Sequence, residues 1–167
     1  MPIQVGEQLP AATLFEYCHE ESGSCSIGPN PIDIHEALAG KTVVIFAVPG
    51  AYTPTCSAKH VPGFVEKASE IKAKGVDEIW CVSVNDAFVM GAWGQSLKVG
   101  GAVRMIADGA ADFTRKVGLE MDLTARGLGI RSQRYAMVVK DAVVQALNVE
   151  EAGKFEVSDA QTVLGLL

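Results

Sequence analysis

The chain has 167 residues, of which 49% are hydrophobic and 20% are charged, and its formal net charge is -6. This length and composition predict one domain over residues 1–167 with a packed core, and they exclude a disordered chain. The acidic balance and the absence of any long Lys/Arg cluster argue against nucleic acid or an anionic membrane as a partner.

The predicted elements alternate between strands and helices after an irregular start at 1–31, where Gly, Ser, Pro and Asn concentrate near the end. Apolar β-branched runs predict strands, and apolar residues at helical spacing predict helices. In chain order these are a short helix (32–39), a strand (42–48), a helix to about residue 74 kinked at Pro62-Gly63, a strand (76–84), a helix (85–98), a strand (103–107), a short helix (111–117), a hairpin (133–140 and 142–147) and a C-terminal helix (158–167). The order predicts an α/β fold with a central mixed β-sheet flanked by helices.

The N-terminal segment and the apolar runs of the sequence indicate where in the cell the protein is located and in which state its cysteines occur. The N-terminus lacks the basic and apolar regions of a secretion signal, and the longest apolar run, residues 43–49, is too short to span a bilayer. We therefore expect a cytoplasmic protein. The four cysteines, in the absence of secretory features, are expected to be thiols rather than a disulfide framework.

The turn between the first central strand and the longest helix carries the candidate chemistry. Pro54 suits the first helical position, which makes Thr53 the N-cap and places Cys56 in the first turn. The unpaired N–H groups and positive dipole end of a helix favour a thiolate there, and the thiolate is the nucleophilic form of cysteine. The alternative is a buried structural cysteine, since cysteine is often buried. A C-x-x-C dithiol is excluded, because Ser57, Ala58 and Lys59 follow Cys56.

The segment Pro-Gly-Ala-Tyr-Thr-Pro-Thr-Cys-Ser at 49–57 resembles the peroxiredoxins, whose signature is Pro-x-x-x-Thr/Ser-x-x-Cys, and in particular their five-type subfamily, called type II in plants. Companion motifs extend the resemblance over roughly residues 33–150, including His-Val-Pro-Gly-Phe at 60–64 and Arg-Tyr-Ala-Met-Val-Val at 134–139. The resemblance implies a thioredoxin-like fold and a thiol-dependent peroxidase for hydrogen peroxide and alkyl hydroperoxides. It implies a homodimer, and no cofactor or metal is expected.

The resemblance also implies roles for particular residues. Cys56 would attack the peroxide and become a sulfenic acid, and Thr53 would hydrogen-bond the thiolate and the peroxide. Pro49 would shield the pocket from water, although a plain turn residue is the alternative. Arg134 would stabilise the thiolate and the developing oxygen charge; Arg126 and Arg131 compete on sequence alone, and the motif context selects Arg134. His60 either tunes the thiol or has a structural place.

Two routes of regeneration stay open. Plant type II enzymes carry a second cysteine at the position of Cys81, which implies a possible resolving disulfide with Cys56. The alternative, which we favour because Cys81 lies in an apolar strand, is direct attack on the sulfenic acid by an external thiol. Glutathione with glutaredoxin, or thioredoxin, is the expected reductant. Cys18 and Cys25 match nothing in the family pattern, and we expect exposed bystander thiols rather than a zinc site with His19 and His35.

Other function classes remain for comparison. A peroxide-sensing redox switch or chaperone-like binding protein would use Cys56 oxidation to change partner binding, without rapid recycling. A cysteine hydrolase would need a base, and His60 is the candidate nearest in sequence.

Overall fold

The computed structural model describes residues 1–23 and 25–167. A seven-stranded mixed sheet has the strand order β2-β1-β5-β4-β3-β8-β9, and β6 and β7 form a separate two-stranded sheet. The strands are β1 (Thr13–Cys18), β2 (Gly28–Asp33), β3 (Thr42–Val48), β4 (Glu78–Ser83), β5 (Arg104–Ala107), β6 (Glu120–Leu123), β7 (Gly129–Ser132), β8 (Tyr135–Lys140) and β9 (Val143–Val149). The helices are α1 (Ile34–Leu38), α2 (Val61–Ala73), α3 (Ala87–Ser96), α4 (Asp112–Lys116) and α5 (Ala160–Leu164). None of them is long and apolar enough to cross a membrane, within the residues described.

The apolar composition of the central strands explains why both of their faces are buried. β3 pairs in parallel with β4 and antiparallel with β8, so it is hydrogen-bonded on both sides. Its alternate side chains enter two different apolar clusters, because successive strand residues point to opposite faces of a sheet. Val44 and Phe46 lie in the cluster under α2, α3 and α5, whereas Val43 and Ile45 lie in the cluster under α1 and α4. The predicted strand over 42–48, buried on both faces, is confirmed.

The predicted hairpin is also confirmed. β8 and β9 are joined by Asp141 and Ala142, both with positive φ, as a tight turn between antiparallel strands requires. The C-terminal helix, expected over 158–167, spans Ala160–Leu164, and Asp159 caps it: the Asp159 carboxylate accepts from the Thr162 N–H.

The expectation of an irregular segment over 1–31 is wrong. β1 and β2 pair antiparallel over residues 13–18 and 28–33. The prolines at 29 and 31 are tolerated because β2 is an edge strand, where a missing N–H does not interrupt the sheet.

The expectation of free, exposed thiols at Cys18 and Cys25 is wrong as well. The two residues form a disulfide near the end of the β1–β2 hairpin, with their Cα atoms 6.3 Å apart, and both are half-buried. Antiparallel pairing brings the end of β1 close to the start of β2, which explains the contact. The same bond removes both sulfurs as zinc ligands, and no cluster of potential metal ligands occurs among residues 1–23 and 25–167.

Candidate active site

The helix that carries Cys56 begins at Pro54, directly after the loop that follows β3. As predicted, Thr53 is the residue before the helix, and its carbonyl accepts from the Ser57 N–H at 2.9 Å. Its side chain does not cap the helix in the expected way, however. The Thr53 hydroxyl donates to the Gly50 carbonyl at 2.7 Å, which tightens the loop.

A π-helical turn over Cys56–His60 directly precedes Val61, Pro62 and Gly63, whereas the kink was predicted at Pro62-Gly63 itself. The Cys56 carbonyl accepts from the Val61 N–H, one residue further along than in an α-helix. Pro62 explains the widened turn, since proline lacks an N–H donor and its ring crowds the carbonyl four residues earlier. The helix therefore continues through Pro62, and single π turns of this kind are frequent at functional sites.

The loop before the helix is held by neighbours from other elements. The Ala51 N–H donates to the Asn85 side chain at 2.9 Å, and the Arg131 guanidinium donates to the Pro49 carbonyl at 3.3 Å. A Cβ atom at Gly50 would lie 2.8 Å from Arg131 Nη1, so a larger residue here would displace the end of the Arg131 side chain. Tyr52 adopts φ 64°, a left-handed conformation that is unfavourable for a side-chain-bearing residue and is often found at functional sites.

Arg134 reaches Cys56 because of strand pairing. β8 runs antiparallel to β3, so the start of β8 lies beside the end of β3, where the Cys56 loop begins. Arg134, the residue before β8, donates from Nη2 to Cys56 Sγ at 3.1 Å. The two arginines that competed with it on sequence lie elsewhere: Arg131 contacts the Pro49 carbonyl, and Arg126 is exposed.

His60 contacts Arg134, not Cys56. Its Nδ1 accepts from Arg134 Nη1 at 2.8 Å, because a guanidinium can only donate, and its Nε2 donates to the Ser158 carbonyl at 2.9 Å. Burial and the neighbouring Arg134 charge lower the pKa of His60 to about 3. The ring is therefore neutral at physiological pH with both nitrogens engaged, which leaves no free lone pair to act as a base towards Cys56 and argues against a cysteine hydrolase.

The aromatic surroundings of these residues are tightly packed. Phe155 lies 4.8 Å from the His60 ring, and the Arg134 guanidinium lies 5.7 Å from the Phe155 ring centroid. The ring of Phe46 from β3 also lies 4.8 Å from the His60 ring, centroid to centroid. Trp93 is fully buried and donates from Nε1 to the Oγ of Ser57, the residue that follows Cys56, at 2.9 Å.

Cys56 itself has no exposed surface, although a sulfur within reach of an oxidant was expected. Arg134, which donates to its sulfur, and Pro49 and Thr53 from the loop before the helix are half-buried. In this conformation of the chain, Cys56 is therefore not in contact with solvent.

Cys81 is fully buried in β4, in the same apolar cluster as Cys56. Desolvation, followed by the proximity of Cys56, raises the pKa of the Cys81 thiol well above its usual value. A thiol held protonated in this way is a poor nucleophile.

Sequence reasoning missed the residues that support Arg134 from the C-terminal side. Glu150 follows β9, and its N–H donates to the Arg134 carbonyl at 2.9 Å. Ser158, whose carbonyl holds His60, lies 98 residues further along the chain than that histidine. No local motif marks either residue, because contacts between distant segments depend on tertiary structure.

Comparisons with known proteins agree with this geometry. A family model described as Redoxin matches residues 4–164. Peroxiredoxin-2B of Arabidopsis thaliana is 47% identical over 166 residues, and the match covers 99% of each chain. Reduced Prx3 of Vibrio vulnificus, solved in complex with H2O2, is 50% identical with a TM-score of 0.90 and coverage of 98% of each chain. A Burkholderia cenocepacia structure, provisionally described as a thioredoxin reductase, is 60% identical with a TM-score of 0.99 and covers 100% of this chain and 99% of that one.

Proposed function

The chain belongs to the peroxiredoxins, thiol-dependent peroxidases with a thioredoxin-like fold, and from this premise we propose that Cys56 is the residue that the peroxide oxidises. The observation that carries the proposal is the hydrogen bond from Arg134 Nη2 to Cys56 Sγ at 3.1 Å. A guanidinium stays charged at every physiological pH, and a charge-assisted donor at this distance favours the anionic sulfur.

In the proposed step, the Cys56 thiolate attacks one oxygen of the peroxide and the O–O bond breaks. Cys56 becomes a sulfenic acid, and the other oxygen leaves as water or an alcohol after taking up a proton. Arg134 stabilises the negative charge that develops on the leaving oxygen. The Thr53 hydroxyl turns from Gly50 towards the sulfur and the bound peroxide, and Pro49 limits the access of water.

Access to Cys56 is part of this proposal, since the sulfur is buried. The loop over 49–53 directly precedes the helix that carries Cys56 and is the segment that moves in this proposal. Its displacement breaks two hydrogen bonds to other elements, from Arg131 to the Pro49 carbonyl and from the Ala51 N–H to Asn85. Hydrogen peroxide is small enough to enter after a slight displacement.

For regeneration, we propose that an external thiol attacks the sulfenic acid, giving a mixed disulfide that a second thiol reduces. Glutathione with glutaredoxin, or thioredoxin, supplies the electrons. The buried, protonated state of Cys81 supports this route over an internal Cys56–Cys81 disulfide, which would also require the first helical turn to unwind. A homodimer and a cytoplasmic location also belong to the proposal; sedimentation and fractionation of the source cells test them.

The decisive experiment measures repeated peroxide consumption with the two reductant systems in parallel, using wild type, Cys56→Ser and Cys81→Ser. We expect Cys56→Ser to be inactive with both reductants and Cys81→Ser to turn over like wild type. Loss of turnover in Cys81→Ser, together with a Cys56–Cys81 linkage in peroxide-treated wild type, would establish the internal route instead. Consumption of a single equivalent of peroxide with excess thiol would support the redox switch.

A further inference from the structure

Glu150 is a buried carboxylate at the end of β9, 7% exposed, and it organises the segment before α5. It accepts hydrogen bonds from the backbone N–H groups of Glu156, Val157 and Ser158, each at 2.8 Å from Oε2. The Ser158 hydroxyl donates to the same oxygen at 2.7 Å. One carboxylate thus gathers four donors from three consecutive residues, and this fixes the path of the chain between β9 and α5.

The segment that Glu150 fixes ends on His60. The Ser158 carbonyl accepts from His60 Nε2 at 2.9 Å, and this bond keeps the proton on Nε2. Nδ1 is then unprotonated and accepts from Arg134, which is the condition for the second guanidinium nitrogen to point at Cys56. The protein thereby holds the ring in one tautomer.

A second connection reaches Arg134 through the backbone. The Glu150 N–H donates to the Arg134 carbonyl at 2.9 Å, so the two residues are adjacent across the β8–β9 pair. Phe155, which lies within the segment closed by Glu150, packs against both the His60 ring and the Arg134 guanidinium. Glu150 therefore contacts Arg134 through its backbone and controls the neighbours of the Arg134 side chain through its carboxylate.

From these contacts we propose that Glu150 is a positioning residue for the peroxidase reaction: through Ser158 and His60, its carboxylate holds Arg134 in the orientation that donates to Cys56. The inference rests on the proposed role of Cys56 as the oxidised residue. Glu150 lies about 94 positions after Cys56 in the sequence, and in this proposal it acts through Arg134 without contacting the peroxide.

A merely structural role for Glu150 would affect stability alone. The charges that face His60 are Arg134, Glu150 and Asp159, and the last two favour its protonated form. Removing the Glu150 carboxylate therefore does not itself promote protonation of His60. The change expected is a geometrical one: the ring loses its fixed carbonyl partner and exchanges between tautomers.

The test compares Glu150→Ala and Glu150→Gln with wild type and with Glu151→Gln. Glu151 is the matched control, because it is exposed and pairs with Lys154 three residues away. Three quantities are measured: the single-turnover rate of Cys56 oxidation by H2O2, the His60 ring nitrogen shifts by NMR, and the folded fraction by circular dichroism. Glutamine keeps one side-chain oxygen as an acceptor but loses the charge, so Glu150→Gln should hold the segment before α5 only in part.

We expect Glu150→Ala to slow Cys56 oxidation at least tenfold while the protein stays folded, with the His60 nitrogen shifts moving towards a tautomer mixture. Glu150→Gln should fall between Glu150→Ala and wild type, and Glu151→Gln should stay within twofold of wild type. If Glu150→Ala does not fold, Glu150→Gln decides the question.

Folded Glu150 variants that react within twofold of wild type would overturn the inference, and so would a slower reaction with unchanged His60 shifts. Neither result affects the proposed function, because wild-type Cys56 would still be oxidised. Failure of wild-type Cys56 to react with H2O2 would instead overturn both.

Discussion

Replacing Arg134 by Lys tests the electrostatic part of the account. Arg134 donates to Cys56 Sγ at 3.1 Å and to His60 Nδ1 at 2.8 Å, from two nitrogens of one planar group. A lysine ammonium keeps the charge but is a single point on a flexible stem, so it cannot hold both positions at once. A hydrogen bond to a charged group contributes about 1.5–3 kcal/mol. Since about 1.4 kcal/mol corresponds to tenfold in rate, we expect oxidation of Cys56 to slow by roughly 10- to 100-fold.

Stopped-flow tryptophan fluorescence measures this rate, because Trp93 is hydrogen-bonded to Ser57 next to the reacting sulfur. Arg126→Lys is the matched control: Arg126 is exposed, and no hydrogen bond among the described residues joins it to Cys56 or to the 49–53 loop, so the rate should change less than threefold. If a folded Arg134→Lys variant reacts within twofold of wild type, the hydrogen bond to Cys56 does not contribute to the reaction, and the reasoning is refuted.

Three further predictions concern stability. His60 has a pKa of about 3 in the folded chain and about 6.5 in the unfolded chain, so the unfolded chain binds more protons between these values and the free energy of unfolding falls as the pH drops below 6.5. His60→Gln should make this fall less steep between pH 6.5 and 5, by up to about 1.4 kcal/mol per pH unit. Equal slopes for His60→Gln and wild type would contradict this. The double variant Cys18→Ser/Cys25→Ser should lose at most about 2.5 kcal/mol of unfolding free energy, measured with urea, because the disulfide closes a short loop. Its reactivity with peroxide should stay close to that of wild type, and a tenfold loss would contradict the position of this disulfide outside the candidate active site. Burial raises the pKa of Glu78, but hydrogen bonds from Lys41, Trp80 and Arg104 lower it to about 2. The stabilisation by its carboxylate is therefore complete above pH 4.5 and is lost as the pH falls towards 2, so Glu78→Gln should cost about 1 kcal/mol of unfolding free energy at pH 7 and progressively less in acid. A cost that does not change with pH would be inconsistent with this.

The parts of the fold that could be predicted from the sequence are those set by local pattern. The β3 strand and the β8–β9 hairpin follow from continuous apolar runs and a tight turn. β2 was missed because its two prolines argue against a strand, and only its position at the sheet edge makes them acceptable. The Cys18–Cys25 disulfide was missed for the same reason, since it depends on that hairpin.

In the candidate active site, too, residues within a local motif could be predicted from the sequence, whereas contacts between distant segments could not. Cys56 and Thr53 lie in one short motif at a helix start, so sequence reasoning found them together. Arg134 was selected by a second motif, but its hydrogen bond to His60 depends on β8 lying beside β3. Glu150 carries no sequence signal, because its role depends on a turn that its own carboxylate organises.

Treatment of the reduced protein with one equivalent of H2O2 in the presence of dimedone, followed by peptide mass spectrometry, tests the central claim most directly. The account predicts a sulfenic acid adduct at Cys56 that is absent from Cys56→Ser. Oxidation of Cys81 or of another cysteine while Cys56 remains a free thiol would contradict it.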